Sequence, residues 1–166
     1  VSISDSQRRP LPWCNWQNTV YHGLPHDLYK FHPEPGKYLA FLGRVSPEKC
    51  PDQAIELAKR VGIPMKMAAK VDPADRAYFE RVVEPLLDHP LIEFVGEITD
   101  AEKSDFIGNA IGLICPYEWP EPFGLVLIEA GALGKPVIAC RSQGPSEIVA
   151  DGQTGILVGQ DDTDAL

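Results

Sequence analysis

The sequence predicts a Rossmann-like α/β domain, in which helices cover both faces of a parallel β-sheet. Short apolar stretches alternate along the chain with longer amphipathic stretches, which is the pattern of repeated βα units. Such units form parallel sheets because each connecting helix packs back onto the sheet between successive strands. The length of 166 residues and a hydrophobic fraction of 44% are enough for one buried core.

The individual elements follow from the apolar stretches and from the residues that bound them. Six strands are predicted, at residues 38–42, 65–69, 92–95, 112–115, 137–140 and 155–158. Helices are predicted at residues 51–60, 73–88, 100–109 and 146–149, and one more follows Gly124. Asp72 is placed to cap the second of these helices.

Residues 1–36 differ from the rest of the chain. Prolines and two tryptophans, Trp13 and Trp16, interrupt any periodic pattern between residues 8 and 19, which is typical of irregular structure. We predict that residues 1–36 form a segment crossing between domains, and that residues 37–166 form the α/β domain. Both tryptophans are expected to pack in a core or between domains.

The composition excludes several classes of protein. A net charge of -9 and an isoelectric point near 4.8 argue against sequence-independent nucleic-acid binding, which needs a basic face. No apolar run reaches membrane-spanning length, and the N-terminus does not read as a signal peptide. The four cysteines (Cys14, Cys50, Cys115 and Cys140) are widely spaced. We therefore predict reduced thiols in a cytoplasmic protein.

The stretch from residue 119 to 139 is the most informative part of the sequence. Pro122 and Gly124 mark a junction from loop to helix, and the first turn of that helix can bind phosphate through its free N–H groups and positive dipole end. Glu129 lies inside the apolar helix and carries the only charge between Gly124 and Gly134. Two interpretations remain open, because a buried carboxylate needs a partner. The partner is either a cation (Arg44, Lys49 or Lys135) or the hydroxyl groups of a ligand.

The candidate motifs converge on one rim of the predicted sheet. The segments 43–44, 96–97, 116–124 and 141–145 all follow the carboxyl ends of strands. In parallel sheets, ligands bind beyond these ends, at the point where the strand order reverses. The convergence favours a binding site over scattered structural residues.

Five sequence blocks resemble the retaining glycosyltransferases of the GT-B fold, in particular the large family 4. The segment E-P-F-G-L-V-L-I-E at residues 121–129 resembles their E-x7-E signature, and G-R-x4-K at residues 43–49 precedes it. The blocks F-V-G-E-I, G-P-S-E-I-V and D-G-x-T-G-I-L-V begin at residues 94, 144 and 151. Gln143 stands where the common G-G-x-x-E version has its first glycine, and Gly144 is kept.

The resemblance implies a role for each matching residue. Arg44 and Lys49 would bind the diphosphate of a sugar donor, flanking the helix tip together, while Glu121 would face the transferred sugar and Glu129 the ribose hydroxyls. Other residues would complete the donor site, some through backbone N–H groups at the helix tip and others as walls beside the sugar and the base. These residues are Gly43, Gly96, Ile98, Phe123, Gly124, Leu125 and Val126. Trp119 is the best placed of the tryptophans to form a sugar platform.

The implied reaction moves a sugar from a nucleotide-diphosphate sugar to an acceptor hydroxyl with retention of anomeric configuration. The nucleotide sugar is a substrate, and neither a metal nor another cofactor is expected; the acidic residues 161–164 are predicted to cap a further helix. The acceptor would be held mainly by a missing N-terminal domain, and peripheral membrane association of the full-length protein is compatible with the sequence. We expect this chain alone to bind donor weakly and to transfer nothing. The alternatives are a noncatalytic nucleotide-binding module and a GT-B nucleotide-sugar epimerase.

Overall fold

The computed structural model describes residues 1–117, 119–159 and 162. Its centre is a six-stranded parallel sheet with the strand order β3-β2-β1-β4-β5-β6. The strands are β1 (Tyr38–Val45), β2 (Met65–Val71), β3 (Ile92–Gly96), β4 (Ala110–Cys115), β5 (Val137–Cys140) and β6 (Gly155–Val158). This order reverses between β1 and β4, which is the switch point of a Rossmann-like sheet. The predicted fold class is confirmed.

The first strand is longer than the sequence suggested. Residues Gly43 and Arg44 were expected to follow the carboxyl end of the strand, but both lie within β1. The ladder with β2 continues through them, because Gly43 pairs with Ala69 and Arg44 pairs with Lys70. The loop that leaves this strand therefore begins at Ser46.

Among the described residues, five helices connect the strands: α1 (Pro51–Val61), α2 (Arg76–Tyr78), α3 (Asp100–Gly108), α4 (Leu125–Ala132) and α5 (Gln143–Ile148). The prediction of one regular helix over residues 73–88 was wrong. That region comprises a 3₁₀ turn (Pro73–Asp75), α2, a π-helical turn (Phe79–Val83) and a second 3₁₀ turn (Glu84–Leu86). Pro85 explains the break, because it has no N–H group with which to continue an α-helical ladder. Asp72 does cap the region by accepting the N–H of Ala74 at 3.1 Å.

Helices lie on both faces of the sheet, and each face has its own apolar core. One core contains Phe106 and Ile107 of α3 together with Leu127 and Ala130 of α4. The other packs α1 and the region after β2 against the opposite face. In the described part of the chain, no helix combines the length and the apolar character needed to span a bilayer.

Residues 1–36 adopt little regular structure but are attached to the domain at several places. The carboxylate of Glu147, on α5, accepts hydrogen bonds from the N–H groups of Asp5 and Ser6, from the Ser6 hydroxyl and from the Tyr21 hydroxyl. Further along the segment, Tyr29 is buried in the core that contains α3 and α4.

For residues 1–36, the structure bears on the packing of Trp13 but does not test the domain boundary. Trp13 is 77% exposed, so it does not pack into the core of the domain. The boundary after residue 36 and the crossing role of residues 1–36 stay predictions. The stretch 161–164, which was predicted to cap a further helix, lies outside the described residues except for Asp162, and so does that helix.

Candidate functional site

The candidate site lies at the carboxyl edge of the sheet, where the strand order reverses between β1 and β4. A 3₁₀ turn after β1, Pro47–Lys49, presents Lys49, and the loop after β4 presents Glu121. The ammonium group of Lys49 and the carboxylate of Glu121 form an ion pair, and both side chains are largely buried. Two residues that are 72 positions apart in sequence are therefore brought together, as the rim argument predicted.

The turn that carries Lys49 depends on an unusual backbone conformation at Cys50. Cys50 follows the turn, immediately precedes α1 and has a φ of 50° with a ψ of 49°, the left-handed region that glycine occupies most readily. In this chain a buried cysteine adopts the conformation, and its thiol contacts the carbonyl oxygen of Pro47 at 3.2 Å.

Two aromatic rings contact the Lys49 ammonium group. It lies 4.1 Å from the ring centre of Tyr117 and 5.2 Å from that of Trp119, which is cation–π geometry. Trp119 also packs against the core, and its indole N–H is buried without a partner among the described residues. Burial raises the pKa of Tyr117 well above its usual value and the pKa of the neighbouring Cys115 thiol to about 12. Cys115 is therefore neutral and is not a nucleophile.

The loop around Glu121 is fixed by backbone contacts. The Glu121 carbonyl oxygen accepts the N–H of Gly144 at 2.7 Å, and the Glu121 N–H donates to the carbonyl of Trp119 at 2.8 Å. A Cβ atom on Gly144 would lie 2.6 Å from the Glu121 carbonyl oxygen and 2.7 Å from that of Phe123. Gly144 is therefore the position at which α5 touches this loop most closely.

Glycine is also required at the tip of α4. Gly124 immediately precedes the helix and has a φ of 88°, in the left-handed region. A Cβ atom on it would lie 2.8 Å from the Leu127 side chain and 3.6 Å from Cγ of Glu121. The short second distance shows that the Glu121 side chain lies beside the helix tip. Leu125, the first residue of α4, is 45% exposed.

Arg44 does not accompany Lys49 to this tip, which corrects the expectation that the two cations flank it together. The Arg44 guanidinium lies 2.6 Å from the Glu48 carboxylate and 3.7 Å from that of Asp75. Burial works against ionisation of Glu48, but hydrogen bonds from its own backbone, Arg44 and Ser46 prevail and lower its pKa. Because the Arg44 side chain is half exposed, such a pair contributes only about 0–1 kcal/mol and an anion can replace it.

Glu129 is 4% exposed, and its partners are not those expected from the sequence. Its Oε1 atom accepts the Tyr29 hydroxyl at 2.9 Å and the Lys103 ammonium at 3.1 Å. The expected cations are engaged elsewhere: Lys49 pairs with Glu121, and Lys135 donates to the carbonyl of Glu34 at 2.7 Å. The Oε2 atom of Glu129 is buried and has no hydrogen-bond partner among the described residues.

A groove of about 280 Å³ runs along the same edge of the sheet. Gly43, Ile98 and Val126, which were all predicted to bind the donor, contribute to its walls, and Lys103 lines it as well. Gly96 ends β3 next to this groove with a φ of 78°, and a Cβ atom on it would meet no atom within 4 Å. The structure thus brings the predicted residues of β1, the β3–α3 loop and α4 into one groove.

Phe123 is covered by the N-terminal segment. Its ring is 3% exposed and contacts His22 edge-on, with ring centres 5.0 Å apart, and Tyr21 at 6.1 Å. Its role as a wall beside the sugar stays a prediction. The contacts of Tyr21 and His22 with Phe123, and of Tyr29 with Glu129, were not predicted from the sequence, because the partners lie about a hundred positions apart.

Comparison with known proteins decides the family. The model of the family described as "Glycosyl transferases group 1" matches residues 29–166, which is most of the chain. The chain belongs to the group 1 glycosyl transferases. The matched region corresponds to the C-terminal domain of these enzymes, and the resemblance found in the sequence is confirmed.

Two relatives illustrate the similarity of this group 1 sequence. It is 32% identical over 142 residues to D-inositol 3-phosphate glycosyltransferase 2 of Catenulispora acidiphila, a match covering 76% of this chain and 32% of that protein. It is 31% identical over 143 residues to phosphatidyl-myo-inositol mannosyltransferase of Mycolicibacterium smegmatis, with coverages of 81% and 35%. The chain therefore spans about a third of the length of these relatives.

The fold is shared with solved GT-B glycosyltransferases. The crystal structure of Anabaena Alr3699/HepE in complex with UDP and glucose matches with a TM-score of 0.84 at 20% identity. The match covers 98% of this chain and 49% of that protein. At this level of identity, the likeness establishes the architecture of the group 1 chain and nothing finer.

Proposed function

We propose that the chain is the donor-binding domain of a retaining glycosyltransferase that uses a nucleotide-diphosphate sugar. The observation that carries the proposal is the meeting of Lys49, Glu121 and the tip of α4 at the switch point of the sheet. An ammonium group and a helix N-terminus both favour a diphosphate. A carboxylate beside them favours the positive charge that develops at the anomeric carbon.

In the proposed reaction, the bond between the anomeric carbon and the donor phosphate oxygen breaks while the acceptor oxygen bonds to the same face of the sugar. The proton of the acceptor hydroxyl passes to an oxygen of the departing diphosphate. Lys49 and the first turn of α4 stabilise the negative charge of that leaving group, and Arg44 adds a further cation when it exchanges Glu48 for phosphate. Glu121 and Glu129 are not the paired carboxylates of a glycosidase, since Glu129 is held by Tyr29 and Lys103 inside the domain.

The groove beside α4 is the proposed site of the nucleoside. Gly43, Ile98 and Val126 supply small or apolar walls, and Glu129 lies behind the groove-lining residue Lys103. The Oε2 atom of Glu129 is buried and has no hydrogen-bond partner among the described residues. This supports the proposal that the carboxylate accepts the ribose hydroxyls, because a donor from a ligand would supply the hydrogen bond that the buried oxygen lacks.

The remaining parts of the proposal concern partners and surroundings. No metal or other cofactor is included, because Lys49, Arg44 and the α4 tip can supply the positive charge that the diphosphate requires. The acceptor is proposed to bind mainly to an N-terminal domain. This agrees with the comparison, in which the chain spans only about a third of the length of its relatives. The wide spacing of the four cysteines supports a cytoplasmic location.

Calorimetric titration of the chain with UDP, GDP and ADP, and with their common sugar forms, tests the proposal and identifies the base. Lys49→Met should weaken binding of the preferred diphosphate by about tenfold or more, since hydrogen bonds to charged groups contribute about 1.5–3 kcal/mol. Lys66→Met is the matched control. Lys66 is also paired with a glutamate, Glu93 at 2.8 Å, but it lies beside the opposite, amino-terminal edge of the sheet.

Four results would contradict the proposal. Binding of none of these nucleotides, or an equal effect of Lys49→Met and Lys66→Met, would remove the diphosphate site. In the full-length protein, unchanged turnover after Lys49→Met would favour a noncatalytic nucleotide-binding module. Inversion at the second carbon of the donor sugar, without transfer, would identify an epimerase.

A further inference from the structure

The carboxylate of Glu129 is held asymmetrically. Both of its hydrogen bonds, from Tyr29 at 2.9 Å and from Lys103 at 3.1 Å, go to Oε1. The second oxygen, Oε2, is buried and has no partner among the described residues. Leaving a buried charged acceptor without a donor costs about 1–3 kcal/mol or more, so this arrangement calls for an explanation.

The two donors differ in how firmly they are held. Tyr29 is 9% exposed and forms part of the core that contains α3 and α4, so its hydroxyl has a fixed direction. Burial, the hydrogen bond to Glu129 and the Glu129 charge raise the pKa of Tyr29, and the hydroxyl therefore remains a donor at all physiological pH values. Lys103 is 21% exposed at its side chain, lines the groove and has a second partner, Asp100 at 2.8 Å.

These differences assign separate roles to the two residues. A ligand in the groove reaches Glu129 by displacing the Lys103 side chain, which Asp100 can retain. The Tyr29 hydroxyl stays in place during this exchange, because core packing surrounds its ring. It keeps Oε1 occupied and prevents the carboxylate from rotating, so that Oε2 is presented to the incoming donor groups.

We propose that Tyr29 is a positioning residue, which orients the Glu129 carboxylate so that Oε2 accepts a ribose hydroxyl of the bound nucleotide. The inference rests on the proposed donor-binding function and adds to it Tyr29, a residue that the sequence analysis did not propose for the site. It predicts that the Tyr29 hydroxyl contributes to discrimination between ribose and its deoxy forms, and not only to stability.

The test compares each nucleoside diphosphate with its analogue that lacks both ribose hydroxyls, by calorimetry on the chain. One of UDP, GDP and ADP should bind best to the wild-type chain. Its affinity should exceed that of its analogue by about tenfold or more, which is the contribution of hydrogen bonds to a charged acceptor. Tyr29→Phe should reduce this preference by about threefold to tenfold, which corresponds to one oriented hydrogen bond. Binding of the analogue itself should change little.

Tyr38→Phe is the matched control. Tyr38 is also 9% exposed, belongs to the same core and donates its hydroxyl to a buried acceptor, the Phe106 carbonyl at 2.6 Å. Both variants should lower the melting temperature, but Tyr38→Phe should leave the ribose preference unchanged. A merely structural role for Tyr29 would make the two variants alike in both measurements.

The outcomes separate this inference from the proposed function. If the diphosphates bind with a clear ribose preference that Tyr29→Phe does not reduce, the positioning role is wrong and the donor site stands. If they bind without a ribose preference, the role of Glu129 towards ribose and the positioning role both fail. If none of them binds, the donor site fails together with the inference.

Discussion

Replacing Gly144 by alanine should disrupt the site through a single methyl group. The new Cβ atom would lie 2.6 Å from the Glu121 carbonyl oxygen, 2.7 Å from the Phe123 carbonyl oxygen and 2.8 Å from the Phe123 Cα atom. All three are backbone atoms, so no flexible side chain can move aside. The loop that carries Glu121 must therefore shift by several tenths of an ångström, because Cβ atoms do not approach other atoms within 3.0 Å.

The size of the effect follows from this clash. Overpacking of a well-filled site costs about 1–3 kcal/mol, and rigid backbone neighbours place Gly144→Ala near the upper end of this range. The hydrogen bond from the Gly144 N–H to the Glu121 carbonyl, at 2.7 Å, is strained by the same shift. Displacement of Glu121 should also lower turnover of the full-length protein by about tenfold to a hundredfold, since misplacement by about 1 Å can cost a factor of a hundred.

Gly131→Ala is the appropriate comparison. Gly131 lies inside α4, is exposed, and has no atom within 4 Å of the position of a Cβ. This substitution should stabilise the chain by about 0.5–1 kcal/mol, because alanine favours a helix interior over glycine. Urea denaturation of both variants measures the difference. Equal stability of Gly144→Ala and Gly131→Ala would refute the close approach between α5 and the Glu121 loop.

Three further predictions concern parts of the fold that support the site. Burial opposes ionisation of Glu147, but hydrogen bonds from Ser6 and Asp5 prevail and lower its pKa. The stabilisation from this carboxylate is therefore present above the unfolded pKa of about 4.3 and is lost as the pH falls through the native pKa. Glu147→Gln should destabilise the chain in denaturation at pH 7 and not at pH 2. Thr99→Ala should lower the free energy of unfolding by about 1 kcal/mol through loss of the α3 capping box, whereas Thr99→Ser should retain it. A thiol reagent should label one cysteine rapidly in the native chain, the exposed Cys14, and four after denaturation; rapid labelling of a second thiol would contradict the burial of the other three.

The elements that the sequence predicted well are those that depend on local pattern. The apolar stretch at residues 137–140 became β5 without change, and Pro51 marked the start of α1. The errors arose where neighbouring elements decide the structure. The ladder with β2 extends β1 through Arg44, a residue that local propensity places in a loop. Pro85 breaks the helix predicted at residues 73–88, although the apolar spacing there is helical.

The candidate site shows the same division between local and distant information. The rim argument places the loops after the first and fourth strands at one edge, because both leave carboxyl ends. In the structure these two loops bring Lys49 and Glu121 into contact. The partners of Glu129 were not predictable in this way. Lys103 lies on a helix whose charged residues read as a solvated surface, and Tyr29 lies in a segment without periodic pattern. Only the packing of α3 and residues 1–36 against α4 makes them neighbours.

The attachment of the N-terminal segment has a consequence for synthesis on the ribosome. Tyr29 and Ser6 are synthesised before their carboxylate partners, Glu129 and Glu147, which are 100 and 141 residues further along the chain. Since chains grow at about 5–20 residues per second, the segment must wait for several seconds with its aromatic side chains in solvent. Synthesis of α4 and α5 therefore determines when residues 1–36 reach their native position, and chaperone binding during that interval should concentrate on them.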